Sequence, residues 1–174
     1  AVMGLIIGIV IGTLIATVRV IPKYKVLPRI LNSICTFYVG FFRGTPMVVQ
    51  LLLFYYVALP LMGINLPSVS VAIAVFGLNS GAYVSEIMRG GILSVDGGQM
   101  EAGRSLGLNY VDTMRFIVIP QAFKAILPSL GNEFIMIIKE TSLASTFFIG
   151  DIMTQYNTIR GITYRVVEPL IIVA

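Results

Sequence analysis

The sequence predicts an all-α fold, a polytopic transmembrane helical bundle of about five spans. Three observations predict it. Of the 174 residues 57% are hydrophobic and only 11% are charged, where a soluble domain carries about 25% charged residues. Apolar runs of spanning length recur along the chain, and the mean hydropathy is +0.93. The charges gather in short stretches between those runs, where they report orientation. A soluble fold, disorder and nucleic-acid binding are excluded together, despite the net charge of +4. Histidine is absent and Cys35 is the sole cysteine. That removes His-dependent active sites, most zinc sites and any internal disulfide, so neither a metal site nor a catalytic set is expected.

Residues 1–18 carry no charge, and Gly4, Gly8, Gly12 and Ala16 recur every fourth position. They share one helix face, and small residues at that spacing let another helix approach closely in lipid. Packing within the chain is favoured over a dimer seam. Residues 19–29 hold Arg19, Lys23, Lys25 and Arg29 with no acid, so this loop is expected in the cytoplasm. Pro22 and Pro28 break helix there. Residues 30–45 mix Asn32, Ser33, Tyr38, Arg43 and Thr45 with apolar positions and predict an amphipathic helix.

From Gly44 to Ser85 no residue is charged. Pro60, Gly63, Asn65 and Pro67 divide this stretch into segments of about 46–62 and 68–90, each read as a span. The short link predicts an antiparallel hairpin with its tip outside. Residues 89–115 return to the cytoplasm with Arg89, Asp96, Glu101, Arg104, Asp112 and Arg115 among six glycines. Their length predicts a structured loop with short helices.

Residues 116–138 are apolar again, interrupted by Pro120, Lys124, Pro128 and Glu133. Residues 139–166 are polar and expected outside, with a re-entrant piece around Ser142–Gly150. The last segment then heads inward. Ala1 already lies in an apolar run, without a leader or cleavage pattern, so the chain is expected to be part of a longer membrane protein. Its 174 residues read as a single transmembrane domain.

Residues 101–120 read EAGRSLGLNYVDTMRFIVIP. Glu101 and Ala102 are followed by Gly107, then Ile117 and Pro120. This resembles the EAA loop of ABC-importer permeases, with Gly103 in place of the second Ala and Ile119 in place of Leu. Phe42-Arg43-Gly44-Thr45-Pro46 with Gln50-Leu51 is similar to a segment of the polar amino-acid permeases. So are Ser80–Ile87 with Arg89–Ile92, and downstream Pro120-Gln121-Ala122, Gly131–Phe134 and Lys139–Leu143. Four linked motifs in family order identify the chain as a member of the type I ABC-importer permeases for polar amino acids.

The resemblance implies a type I permease fold and a multi-pass chain in the cell membrane. It implies a second permease subunit, identical or related, and an extracytoplasmic amino-acid-binding protein. It also implies a cytoplasmic ABC ATPase that carries the ATP and magnesium, since this chain has no phosphate-binding loop of its own. The 94–113 loop would seat in that ATPase. A short helix around 100–106 presents Glu101, Ala102, Gly103 and Arg104, with Leu106 and Leu108 as anchors and Gly107 ending it at a left-handed position.

Ionisable groups at membrane depth are functional candidates. Asn132, Glu133, Met136, Lys139 and Glu140 share a broad helix face, and Asn79, Tyr83 and Glu86 share another. A zwitterion needs a cation and an anion partner. Arg43, Asn79, Glu133, Lys139 and Glu140 are therefore the substrate-binding candidates. Structural roles stand beside this reading: Glu86 and Arg89 as an ion pair, Lys139 as a headgroup anchor. An ion-gradient-driven transporter or channel is the alternative, consistent with the prolines at 120 and 128 but silent on the EAA-like loop. An intramembrane enzyme lacks a nucleophile beside a base.

Overall fold

Arg19 is the first charged residue of a nineteen-residue helix, α1 (Val2–Val20). The stripe Gly4, Gly8, Gly12 and Ala16 is its buried face. It lies along α4 (Ser68–Leu93), the longest helix of the computed structural model, which describes residues 1–21, 26–147 and 152–173. The contact is a mutual mesh. A Cβ on Gly8 would sit 2.6 Å from the Ser80 hydroxyl, and one on Gly12 would sit 2.6 Å from a Val84 methyl. From the other side, a Cβ on Gly77 would sit 2.6 Å from a methyl of Ile7. Small residues therefore let the two backbones approach as closely as lipid-embedded helices do, and this packing is within the chain, as expected.

α2 (Val26–Gly44) leads into α3 (Met47–Leu61), and the pair bends by 109° at Thr45-Pro46. Proline disfavours helical backbone at the residue before it, which places the break. α3 is only about 22 Å long at helical rise. The segment expected as a span at 46–62 is thus too short to qualify as one by itself; it meets the span test only when taken together with α2. Its hydrophobic contacts join Met47 and Leu51 to Val71, Ala72, Val75 and Phe76 of α4.

Among the described residues two helices, α1 and α4, are long and apolar enough to cross a membrane, and the bent α2–α3 pair makes a third if it is counted as one span. α4 is followed by α5 (Gly97–Ser105) and α6 (Tyr110–Thr113). α6 runs through a widened π-helical turn, Met114–Val118, into α7 (Ile119–Glu140). α7 has the length of a span but carries Lys124, Glu133, Lys139 and Glu140, so apolarity alone does not mark it. A 3₁₀ helix, Thr141–Phe147, follows; the remainder of the expected re-entrant piece, 148–150, lies outside the described residues, as does Lys23-Tyr24-Lys25 of the basic loop. α8 (Ile152–Thr163) and α9 (Val167–Val173) are the last described helices.

The two π-turns share a setting. Phe54–Ala58 within α3 ends two residues before Pro60, and Met114–Val118 ends two residues before Pro120. A proline ring clashes with the carbonyl four residues back and offers no N–H to it. Widening the preceding turn removes that conflict. The Leu59 N–H then bonds the Phe54 carbonyl, and the Ile119 N–H bonds the Met114 carbonyl, each five residues back.

Candidate functional site

The 94–113 segment is built from the caps inward. The Asp96 carboxylate accepts a 2.8 Å hydrogen bond from the Gly98 N–H and starts α5. Gly107, at φ +83°, stops it. The Leu108 N–H bonds the Gly103 carbonyl at 3.1 Å and the Gly107 N–H bonds that of Arg104 at 3.0 Å, a Schellman closure that needs the left-handed residue. Asn109 then caps α6, accepting from the Asp112 N–H at 2.9 Å.

Glu101, Ala102 and Arg104 are exposed on α5, and Leu106 is 80% exposed. Leu108 is half-buried. Gly103 is instead buried, because it is the surface on which α5 rests. A Cβ there would meet a Thr113 methyl at 2.6 Å and an Ile117 methyl at 3.1 Å. Glycine in place of the alanine of the family pattern thus fits a close approach to the π-turn. Gln121 adds a second strut. Its side-chain amide donates to the Gln99 side-chain oxygen and to the Ile117 carbonyl, both at 3.1 Å. A cleft of about 350 Å³, lined by Val20, Ile92, Asp96, Met100, Tyr110 and Met114 among others, separates α5 from the ends of α1 and α4.

Above this loop a salt bridge ties α1 to α4. Glu86 binds Arg19 through one oxygen and Arg89 through the other, the latter at 3.0 Å. The ion pair of Glu86 and Arg89 is as the sequence suggested. Arg19, sixty-seven positions from Glu86, was not foreseeable from local spacing. The arrangement brings the basic end of α1 to the same end of the bundle as α5.

Deeper in the bundle lies a polar core. The Asn79 amide donates to the Phe42 carbonyl at 3.1 Å and to the Gln50 side-chain oxygen at 3.0 Å. The Gln50 amide in turn donates to the Phe42 carbonyl at 2.8 Å and to the Thr45 hydroxyl at 2.7 Å. This network closes the α2–α3 bend, which leaves carbonyls without helical donors. The neighbouring Ser80 turns the other way and donates to the Glu133 carboxylate at 2.9 Å. Both Ser80 and Glu133 are buried, at 1% and 5% exposure. Among the described residues no buried side-chain nitrogen or oxygen lacks a partner.

Of the five substrate candidates, Asn79 and Glu133 are thus inside the walls, held by α2, α3 and α4. Arg43 is exposed, with its guanidinium 5.3 Å from the centre of the Tyr83 ring. Lys139 is exposed and Glu140 half-buried at the end of α7. Arg43 and the α7 pair do not touch one another. Gln50 and Ser80 were visible in the motifs but not singled out; their signal was polarity inside uncharged spans.

Packed membrane-length helices joined by a capped helix that offers its outer face define an integral membrane protein. The chain belongs to the family described as binding-protein-dependent transport system inner membrane component, matched over residues 4–174. It is 42% identical over 139 residues to the arginine transport system permease protein ArtQ of Bacillus subtilis, spanning 80% of this chain and 64% of that one. It is 40% identical over 174 residues to a putative glutamine transport system permease protein, GlnP, of Rickettsia bellii, spanning all of this chain and 78% of the relative. Its fold matches a crystal structure of an amino acid ABC transporter with histidines at TM-score 0.89 and 40% identity, over 98% of this chain and 77% of the other. An inward-facing MetNI methionine transporter shares the fold at TM-score 0.73.

Proposed function

We propose that this chain is the membrane-spanning subunit of an ATP-driven importer of polar amino acids. It resides in the cell membrane, with α5 on the cytoplasmic side. It pairs with a second permease subunit and receives its substrate from an extracytoplasmic binding protein. The observation that carries the proposal is α5: a helix capped at both ends, exposed at Glu101, Ala102, Arg104 and Leu106, and braced against the root of α7. An exposed, braced helix of this kind suits a cleft in a separate ATPase, which holds the ATP and magnesium. Closure of the ATPase dimer turns the helical core as a near-rigid body and alternates access to a central cavity. The chain itself makes and breaks no bonds.

The exposed Arg43 and the Lys139–Glu140 end of α7 line the path of the substrate and offer it opposite charges. Asn79 and Glu133 hold the wall behind them. The test is reconstitution: the chain, a candidate ATPase and a binding protein in liposomes, with radiolabelled arginine and glutamine as probes. ATP-dependent uptake that fails without the ATPase is expected. Uptake by the chain alone, driven by an ion gradient, would overturn the proposal.

A further inference from the structure

The Pro120-Gln121-Ala122 motif stands just beyond the widened turn, and the docking role of α5 does not by itself account for it. Pro120 stands two residues beyond the π-turn Met114–Val118, which relieves its clash with the preceding turn. The turn's Ile117 carbonyl accepts a 3.1 Å bond from the Gln121 side chain. The same amide group donates its other hydrogen to Gln99 on α5. One side chain therefore grips the widened turn and the coupling helix together. On the opposite side of the contact, Gly103 rests on Thr113 and Ile117. A cleft of about 350 Å³ opens between α5 and the ends of α1 and α4, so the packing contacts of α5 fall on α6 and the π-turn. π-turns inside helices recur at functional positions, and this one joins the docking helix to the polar helix that carries Glu133, Lys139 and Glu140.

We propose that Gln121 is a positioning residue for energy coupling: it locks α5 to the π-turn so that a displacement of α5 enters α7 instead of being lost in the loop. This rests on the reading that α5 docks on the ATPase. Gln121 is exposed and contacts neither substrate nor nucleotide in that reading; it acts through α5.

The test uses the complete complex with its ATPase and binding protein in liposomes, with radiolabelled arginine and glutamine as probes. The readout is amino acid transported per ATP hydrolysed. Gln121→Ala lowers that ratio at least about fivefold, the effect of losing its one bond to α5, and Gln99→Ala, which removes only that bond, lowers it about fivefold. Both variants remove the same bond, so the double variant is no worse than the poorer single one. Gln121→Glu retains an acceptor for a turned Gln99 amide and recovers part of the ratio. A ratio within about twofold of the parent for Gln121→Ala overturns the proposal. So do losses that multiply in the double variant, since Gln99 would then act on the ATPase and not on Gln121. Failure of the docking reading is a separate result: an Arg104→Cys chain in the otherwise unaltered complex that does not cross-link to the ATPase removes both. A positive cross-link with an inert Gln121→Ala removes the positioning role alone.

Discussion

Ser80 of α4 donates a hydrogen bond to Glu133 of α7 at 2.9 Å, with both side chains buried. The pair is the polar link between the helix that packs on α1 and the helix that grows out of the 94–113 loop. Ser80→Ala leaves the carboxylate without that donor in a site closed to water. A loss of about 1–3 kcal/mol is expected for such an unsatisfied group. The melting temperature of the detergent-purified chain checks it, and a variant as stable as the parent would show that the carboxylate finds another donor.

The α1–α4 mesh makes a sharper prediction. At Gly12 an added methyl meets Val84 at 2.6 Å, and Val84 is fully buried. Gly12→Ala destabilises by about 1–3 kcal/mol through overpacking. Val84→Ala opens the same space, so the double variant is less damaged than the sum of the singles. Additive losses would mean that the helices do not meet here.

Glu86 holds two arginines, and its removal leaves them facing each other with 12% and 35% of their side-chain surface exposed. Glu86→Gln is expected to lower stability by about 2 kcal/mol, as loss of charge-assisted hydrogen bonds does. Arg19→Met added to Glu86→Gln recovers part of the loss. Unfolding curves of the parent and the two variants in detergent decide between this clasp and an incidental surface contact.

Gly107 is at φ +83° with open space around its Cβ position, so only backbone strain opposes a side chain there. Gly107→Val costs about 1–2 kcal/mol and loosens the end of α5, while Gly107→Asn is tolerated. In the reconstituted complex the valine variant inserts normally but hydrolyses ATP with reduced transport. Normal coupling with valine would detach this loop from the energy-transfer step.

Charge reversal at the end of α7 tests the substrate path. Lys139→Glu and Glu140→Lys, made separately, should each change apparent affinity for the transported amino acid by at least about tenfold, as loss of a charge-assisted contact does. Uptake curves at varied substrate concentration measure it. Unchanged affinity and turnover in both removes these residues from the path.

What the sequence made legible was whatever depends on local spacing. The Gly4–Gly8–Gly12–Ala16 stripe gave the buried face of α1. Gly107 gave the end of α5, and the four linked motifs gave the family. What it concealed depends on partners distant in the chain or on backbone detail. Arg19 advertises basicity, not its bond to Glu86. Asn79 and Glu133 looked like free polar groups at depth, yet the α2–α3 bend and Ser80 occupy them. The shortness of α3 was hidden because its apolar run continues past the helix into the 62–67 link. Pro60 and Pro120 announced a disturbance but not its form.

That form has a geometric consequence. A π-turn holds one residue more than the α-helical turn it replaces, and on a helix of 3.6 residues per turn one surplus residue is a rotation of about 100°. A helical wheel drawn from Tyr110 straight through to Glu140 therefore misassigns every face on one side of residues 114–118. The turn also acts as a phase buffer. A single-residue deletion inside it keeps the phase of the helix beyond and leaves Glu133 aimed at Ser80, though it restores the Pro120 clash, whereas the same deletion near Pro128 swings the carboxylate away from its donor.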